Sequence, residues 1–198
     1  MMRALVMASL SLVLAACGGV EPDAAADIPT QGVARLSDQF TGDFALIDKD
    51  GKAVTDEDFQ GKVMLVYIGF TNCPDVCPGD VGVMSATLNE LGDKADQVAP
   101  IFISADPERD TPEVLRDYFG FDDRIIALTG SLEATSKALA SFKAYAQKEE
   151  LPDSALGYTV NHTRFYYLTD RNGQPEYGIV GGVGPTELAA LVRRSISQ

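Results

Sequence analysis

Residues 63–78 read VMLVYIGFTNCPDVCP, an apolar run that ends in a turn with two cysteines. The length and β-branched content of residues 63–70 predict a strand buried on both faces, as in a sheet covered by helices. A helix is predicted to follow from about Pro78 to Leu91. Open α/β sheets favour functional sites at the edge where such a strand ends and a helix begins. The cysteine turn is therefore the first candidate site.

The sequence on either side alternates strand and helix signals. Residues 98–104, VAPIFIS, predict a second buried strand. Thr111 is a good N-cap with Pro112 at the first helical position, so a helix is predicted to about Phe119. Further strands are predicted at 44–47, 125–128, 163–169 and 177–180, helices at 131–148 and 185–196, a helical turn at 56–59, a loop at 149–158, and hairpin turns at Asp50-Gly51 and Asn172-Gly173. This order predicts an α/β protein with a central mixed sheet flanked by helices, and it resembles the thioredoxin fold.

The composition restricts the partners and the chemistry. The chain has 198 residues, 45 % of them apolar, which is enough for one sizeable core. A formal net charge of −13 argues against nucleic acid as a main partner, because phosphate binding needs a positive field. The chain holds three cysteines and one histidine, so few side chains are available as soft metal ligands.

The first 35 residues are predicted to be an export signal and a tether. Residues 1–16 carry one positive charge and a short apolar run, which is typical of a secretory signal and too short to span a membrane. The run ends in Leu14-Ala15-Ala16-Cys17, which looks like a bacterial lipobox with Cys17 as the lipidated residue; the alternative is a plain signal peptide. Residues 17–35 are predicted to be a flexible tether, and residues 36–198 the folded domain.

Cys73, Cys77 and His162 are the candidate ligands. Residues four apart on a helical turn share a face, so both sulfurs can point at one atom, and the positive helix end favours thiolate over thiol. Two thiolates and an imidazole suit copper, above all Cu(I). A Cys73–Cys77 disulfide would close a very small loop and add little stability. A chemical role therefore explains the pair better than a structural disulfide does. The alternatives are two buried unpaired cysteines and a structural imidazole.

The motifs YIGFTNCPDVCP, ISADPERDTPEVL, LTG and VNHTRFYYL occur in this order, over about residues 37–197. Together they resemble the Sco/SenC copper-binding proteins. The resemblance implies a thioredoxin-like fold that holds one copper ion, as Cu(I) or Cu(II), through Cys73, Cys77 and His162. It also implies a role in delivering copper to, or reducing the thiols of, the dinuclear copper site of cytochrome c oxidase. The expected partners are the oxidase subunit with that site and other periplasmic copper chaperones or thiol reductases, met at the periplasmic face of a bacterial membrane.

Two positions depart from the family pattern, and the loop signature after residue 104 is explained by local structure. Asn72 stands where the family often has His, and Asn161 stands where it commonly has Asp, which would remove a negative charge from beside His162. Asp75, between the cysteines, is either a tuning residue or a solvated turn residue. The second signature comprises Asp106, Pro107, Arg109 and Asp110, and it is interpreted as loop and cap chemistry, with Arg109 paired to a neighbouring acid.

Two other functions compete with the metallochaperone interpretation, which predicts no turnover enzyme. A thiol-disulfide oxidoreductase needs only Cys73 and Cys77 as a redox-active disulfide, one attacking and one resolving. Against it, three residues separate the cysteines, and His162 replaces the proline that thioredoxins place before the corresponding strand. A peroxidase of the peroxiredoxin type would need Pro and Thr where Val66 and Phe70 stand.

Overall fold

The computed structural model describes residues 31–198, which form ten strands and four α-helices. The helices are α1 (Val76–Leu91), α2 (Pro112–Tyr118), α3 (Leu132–Ser141) and α4 (Pro185–Ile196). The strands are β1 (Val33–Arg35), β2 (Ala45–Asp48), β3 (Ala53–Thr55), β4 (Val63–Gly69), β5 (Val98–Ser104), β6 (Ile126–Thr129), β7 (Ala146–Leu151), β8 (Gly157–His162), β9 (Phe165–Thr169) and β10 (Pro175–Val180). Short 3-10 turns cover Asp56–Phe59 and Gly92–Gln97.

Eight of the strands form one mixed sheet in the order β1-β10-β9-β4-β5-β6-β2-β3. The pairs β4–β5 and β5–β6 are parallel, and the remaining pairs are antiparallel. The unit β4-α1-β5 followed by β9-β10-α4 gives the thioredoxin-like arrangement, so the predicted fold class is confirmed. Strand β4 lies near the middle of this sheet, and its carboxyl end carries the cysteine turn.

Both faces of β4 are covered, as the unbroken apolar run predicts. Leu65 and Tyr67 belong to a core that includes residues of α1, α2 and α4, whereas Val66 and Ile68 belong to a second core with residues of α3. Every residue of β4 is buried. Successive side chains of a strand point to opposite faces, so one strand serves both cores.

The start of α2 confirms the predicted N-cap at Thr111, and α3 begins at the predicted position with a cap of the same kind. Thr111 Oγ1 accepts a hydrogen bond from Val114 N at 3.4 Å, and Pro112 occupies the first helical position of α2. Ser131 Oγ accepts from Ala134 N at 3.1 Å at the start of α3. These side chains satisfy backbone donors that have no partner within the helix.

The prediction of a helix to Lys148 and a loop at 149–158 is wrong. Helix α3 ends at Ser141, and Lys143 takes a left-handed backbone with φ of 48°, which stops the helix. The chain then forms β7 and β8, an antiparallel hairpin in a sheet of its own. Four of the six residues of β7 are exposed, so this strand lacks the apolar alternation that marks a half-buried strand.

The N-terminal boundary also differs from the expectation. Residues 33–35 were assigned to the tether, but they form β1, an edge strand in which Val33 pairs with Ile179 of β10. The predicted signal peptide, the lipidation site Cys17 and the tether as far as residue 30 lie outside the described residues. Across residues 31–198, no helix is both long and apolar enough to cross a membrane.

Candidate metal centre

The two cysteines lie in a turn that the end of β4 holds in place. Gly69 O accepts from Ala105 N at 2.7 Å, and Phe70 O accepts from Cys73 N at 3.3 Å. Cys73 precedes α1, and only Cys77 is in its first turn, so the pair does not share one helical face as the spacing predicted. The sulfur of Cys73 nevertheless lies beside Cys77, where it accepts from Cys77 N at 3.5 Å. It thereby satisfies an otherwise unpaired amide of the helix start.

His162 is the last residue of β8, and its ring meets the second cysteine. Its Nε2 lies 3.4 Å from Cys77 Sγ, and its Nδ1 lies 3.1 Å from the carbonyl oxygen of Thr163. Because a carbonyl only accepts, we assign the proton of the neutral ring to Nδ1. The lone pair of Nε2 then faces Cys77, which is the orientation a metal ligand needs.

Aromatic rings and one glycine shape the space around these donors. The ring of His162 stands edge-on to Phe70 at 5.7 Å and to Tyr67 at 6.4 Å between centroids. A Cβ at Gly69 would lie 2.8 Å from a ring carbon of Tyr67 and 3.2 Å from Cys77 Sγ. The absence of a side chain at this position therefore leaves room for the sulfur.

Burial controls the protonation of the two donors in contact. Desolvation lowers the pKa of His162, opposed mainly by its hydrogen bond to the Thr163 carbonyl, so the imidazole is neutral at neutral pH. Desolvation also raises the pKa of Cys77 to about 12, although a backbone hydrogen bond at Phe70 opposes it. This shift runs opposite to the effect expected of the helix end, which favours the thiolate form. Both cysteines are free thiols.

Asp110 of the second signature holds the cysteine turn. Its carboxylate accepts from Thr71 Oγ1 at 2.6 Å, from Thr71 N at 3.1 Å and from Ser104 Oγ at 2.7 Å. Thr71 lies two residues before Cys73, so this carboxylate fixes the start of the turn. Burial raises the pKa of Asp110, and its hydrogen bonds oppose that shift.

Asp106 and Arg109 hold the hairpin that carries His162. Arg109 Nε donates to Asp106 at 2.5 Å, and Arg109 Nη1 donates to the carbonyls of Leu156 and Tyr158 at 3.3 and 3.1 Å. The guanidinium lies 3.6 Å from the ring centroid of Tyr158, whose hydroxyl donates to Asp106 at 2.8 Å. These contacts agree with the predicted structural role and with an ion pair at Arg109. Pro107 lies in the same loop.

The three other singled-out residues, Asn161, Asn72 and Asp75, are exposed. Asn161 is exposed on the opposite face of β8 from His162, and its side-chain amide donates to Glu149 at 2.5 Å. The amide therefore does not replace a charge beside the imidazole. Asn72 is exposed, and its amide donates to Thr71 Oγ1 at 3.4 Å. Asp75 is exposed at the N-cap of α1 without a side-chain capping bond.

An ion pair that the sequence motifs did not indicate lies next to the donors, with a buried acid and a partly exposed arginine. Asp80 lies one helical turn after Cys77 and is 2 % exposed at its side chain, and Arg164 follows His162 by two residues. Arg164 donates to the Asp80 carboxylate through Nε at 2.6 Å and through Nη2 at 2.8 Å. Asp80 lies on the same buried face of α1 as Cys77, Val81 and Met84. An acidic residue on such a face needs a partner, and this is the signal by which the sequence could have indicated the pair.

The structure thus brings all three predicted donors to one edge of the sheet, with Cys77 in contact with both others. As the side chains stand, residues 31–198 contain no group of three His, Cys, Asp or Glu that could hold a metal ion. Cys73 Sγ contacts the amide of Cys77. The residue Cys73 is 8 % exposed, whereas Cys77 is 0 % exposed.

The sequence profile of the SCO1/SenC family matches residues 33–197, nearly the whole described region. This chain belongs to that family. The protein called Protein sco1 of Schizosaccharomyces pombe is 40 % identical over 139 residues, which are 69 % of this chain and 53 % of that protein. The chain thus spans about half the length of this curated relative, and it covers 45 % of Protein SCO2 from Saccharomyces cerevisiae.

Solved structures of this family share the fold. ScoI of Bradyrhizobium japonicum, solved with copper bound, superposes with a TM-score of 0.72 at 39 % identity, covering 79 % of this chain and 99 % of that chain. BsSco, described as a member of the Sco family of cytochrome c oxidase assembly proteins with a disulfide switch, gives 0.63 at 26 % identity, covering 83 % and 96 %. These similarities also support the thioredoxin-like topology described above.

Proposed function

We propose that this protein is a copper chaperone of cytochrome c oxidase assembly that binds one copper ion through Cys73, Cys77 and His162. The observation that carries the proposal is the contact of His162 Nε2 with Cys77 Sγ at 3.4 Å, in a tautomer whose lone pair faces the sulfur. Copper-bound ScoI supports it from within the family. Copper is the cargo, so the protein is a binding and transfer protein and no turnover enzyme.

The donor set suits the ion in both oxidation states. Thiolates are soft ligands that favour Cu(I), and the imidazole adds the nitrogen donor that Cu(II) prefers. In this proposal Cys73 Sγ turns away from the Cys77 amide, which it contacts at 3.5 Å, and toward the ion. The sulfur of Cys77 loses its proton on binding, whereas the neutral imidazole is ready as it stands.

Transfer of the cargo is proposed to begin at Cys73. This residue is 8 % exposed while Cys77 is fully buried, and its neighbours Asn72, Pro74 and Asp75 are exposed. A thiolate of the acceptor therefore reaches the ion first from the side of Cys73. We propose the subunit with the dinuclear copper site of cytochrome c oxidase as the acceptor, and periplasmic copper chaperones or thiol reductases as further partners.

We further propose that the domain is exported and held at the periplasmic face of a bacterial membrane. The support is the sequence Leu14-Ala15-Ala16-Cys17, in which Cys17 would carry the lipid. The intervening residues would form a tether between the lipid and β1, the first strand described. This placement exposes the cysteine turn to acceptors on the same membrane.

One copper ion per chain is the expected stoichiometry of the reduced protein, because the two cysteines share a single histidine. Metal analysis after desalting should give one equivalent of copper. Zinc offered in competition should be displaced, since two thiolates and one imidazole bind copper more strongly under the Irving–Williams order. A stoichiometry near zero, or retention of zinc in preference to copper, would overturn the proposal.

His162→Ala is expected to weaken Cu(II) binding by about 10- to 100-fold or more, and Cu(I) binding by much less. Two thiolates hold Cu(I) in a linear geometry, but Cu(II) needs more donors and favours nitrogen. Competition titrations of both oxidation states measure the two losses separately. Asn161→Ala, on the opposite face of β8, is the matched control and should change neither affinity. Equal losses for Cu(I) and Cu(II) would mean that His162 is not a ligand.

Copper uptake is expected to release a proton from Cys77, because its pKa lies at about 12 in the metal-free protein. A ligand that must lose a proton binds more tightly as pH rises, by about tenfold per pH unit for each proton released. The neutral His162 adds no proton competition at neutral pH, since burial lowers its pKa. Titration in two buffers of different ionisation enthalpy counts the protons. Affinity that is flat between pH 6 and 9 would contradict a protonated Cys77 in the starting state.

The second candidate function is thiol-disulfide exchange. It is favoured by two free thiols on neighbouring residues, with Cys73 Sγ 3.5 Å from the Cys77 amide nitrogen. In that reaction the dithiol would give two electrons and two protons to a partner disulfide and become the Cys73–Cys77 disulfide. His162→Ala separates the functions, because exchange needs only the two sulfurs whereas Cu(II) binding needs the imidazole.

A further inference from the structure

His162 lies where the chain crosses from one sheet to the other. Strand β8 pairs with β7 in the two-stranded sheet, and β9 joins the main sheet only from Phe165. Between them, Thr163 N donates to the carbonyl of Tyr145, directly before β7, and Gly181 N, directly after β10, donates to Arg164 O. The backbone of this crossing is therefore tied to the start of the hairpin and to β10, and the chain pairs with β4 only from Tyr166 onward.

The link from this crossing to the cysteine helix is made by side chains. Arg164 and Asp80 form a two-pronged ion pair with N–O distances of 2.6 and 2.8 Å. The same carboxylate accepts from Tyr67 Oη at 2.9 Å and from Gly182 N at 3.0 Å. Four donors thus saturate a buried carboxylate, which fixes its orientation.

The loop after β10 is shaped to admit the pair. A Cβ at Gly181 would lie 2.5 Å from Arg164 Cγ and 2.7 Å from Asp80 Oδ2. Gly182 has a φ of 89°, a left-handed backbone that brings its amide to Asp80. Two adjacent glycines at this point show that the chain makes space for the guanidinium against α1.

From these contacts we propose that Asp80 and Arg164 are positioning residues that hold His162 Nε2 against Cys77 Sγ and so set the relative affinity of the site for Cu(II) and Cu(I). Asp80 is fixed one turn below Cys77, and Arg164 is fixed two residues after His162. The ion pair therefore joins the elements that carry the sulfur and the nitrogen. This inference rests on the proposed copper-binding function.

The two oxidation states respond differently to this positioning. Cu(I) is satisfied by the two thiolates, which both lie on the α1 side of the ion pair. Cu(II) depends on the imidazole, which lies on the other side. Loosening the ion pair therefore weakens Cu(II) binding and leaves Cu(I) binding nearly unchanged.

The test is Arg164→Ala in the full chain, with Arg164→Lys as the conservative variant. Arg164→Ala should lower Cu(II) affinity about 10- to 100-fold, the usual range for residues that orient a metal ligand, and Cu(I) affinity less than about threefold. Arg164→Lys should recover part of the loss, because lysine keeps the charge but not the two-pronged geometry. If the alanine variant does not fold, the two copper affinities are measured on Arg164→Lys instead.

The matched control is Arg124→Ala, which breaks a similar ion pair in the loop before β6 that also contacts α1. Asp122 is 7 % exposed, accepts from Arg124 at 2.8 and 2.7 Å, and is tied to α1 through Ser85. This variant should lower the melting temperature without changing either copper affinity. If Arg124→Ala shifts the Cu(II)-to-Cu(I) ratio as much as Arg164→Ala does, the effect is general destabilisation and the inference fails.

A double-mutant cycle decides whether Arg164 acts through His162. In the His162→Ala background, Arg164→Ala should have no further effect on Cu(II) affinity. A full additional loss would overturn the inference while leaving the copper function intact.

A metal-free measurement separates the two proposals. The nuclear Overhauser effect between His162 Hε1 and Cys77 Hβ should be present in the wild type and in Arg124→Ala, and weakened in Arg164→Ala. If the wild type binds no copper, the proposed function fails, but this readout still tests the positioning. An unchanged effect in Arg164→Ala would overturn the inference even if copper binds.

Discussion

Cys77→Ser should remove stoichiometric copper from the protein, with a loss of affinity of about a thousandfold or more. Tetrahedral zinc sites in peptides bind with about 10–16 kcal/mol in all, so one of three donors accounts for several kcal/mol, and each 1.4 kcal/mol is a factor of ten. A serine hydroxyl is a hard, protonated donor at neutral pH and does not replace a thiolate for copper. Cys73→Ser should give a similar loss. Metal analysis after desalting, on reduced protein, measures both.

Cys77 is the central residue of the site, because it contacts both Cys73 and His162. Its sulfur lies 3.4 Å from His162 Nε2, and its amide donates to Cys73 Sγ. Asp75→Asn is the matched control, since Asp75 is exposed between the cysteines and makes no capping bond. It should retain one copper per chain. Copper retained by Cys77→Ser, with circular dichroism like that of the wild type, would exclude the cysteine turn as the binding site.

The parts of the fold that the sequence predicted well are those governed by local chemistry. Strands β4 and β5 are unbroken apolar runs, and their burial on both faces follows from that pattern alone. At the starts of α2 and α3, the hydroxyl of Thr111 or Ser131 accepts a hydrogen bond from the amide three residues later, and this pattern is local in the sequence. These signals need no knowledge of where the rest of the chain lies.

The hairpin β7–β8 could not be recognised in this way, because distant contacts hold it. The sequence AQKEEL of β7 is polar and rich in helix formers. Its strand conformation depends on pairing with β8 and on Arg109, which binds the hairpin carbonyls from the loop after β5. Tertiary structure therefore overrides the local preference.

The sequence was sufficient to predict which residues form the site, but not the burial and the contacts that surround them. Cys73, Cys77 and His162 could be singled out because soft donors are scarce in this chain. Arg164 lies in the motif VNHTRFYYL, but Asp80 is 84 positions away and outside the quoted motifs, so only the fold joins the pair. The raised pKa of Cys77 could not be predicted for a related reason: the helix end is visible in a sequence, but the burial of the thiol is not.

Oxidation of Cys73 and Cys77 to a disulfide is expected to switch copper binding off. The two residues are adjacent in the structure, where Cys73 Sγ lies 3.5 Å from Cys77 N, and both are free thiols. Forming the bond removes two electrons and two protons, which the added oxidant takes up, and leaves no thiolate for the ion. His162 alone is a single neutral donor and does not retain copper. The loss should equal or exceed that of Cys77→Ser, because both sulfur ligands disappear together.

The closed loop is very small, so closure adds little chain-entropy stability, and the bond should be readily reversible by a dithiol reductant. Bound copper should in turn protect both sulfurs from alkylation, whereas in the metal-free protein Cys73, the more exposed thiol, should react first. The measurement is copper binding by the isolated disulfide form, with thiol counts before and after reduction. Retention of copper by that form, at the affinity of the dithiol form, would remove Cys73 and Cys77 as ligands. Thiol-disulfide exchange would then become the leading function, because it needs the sulfur pair and no metal.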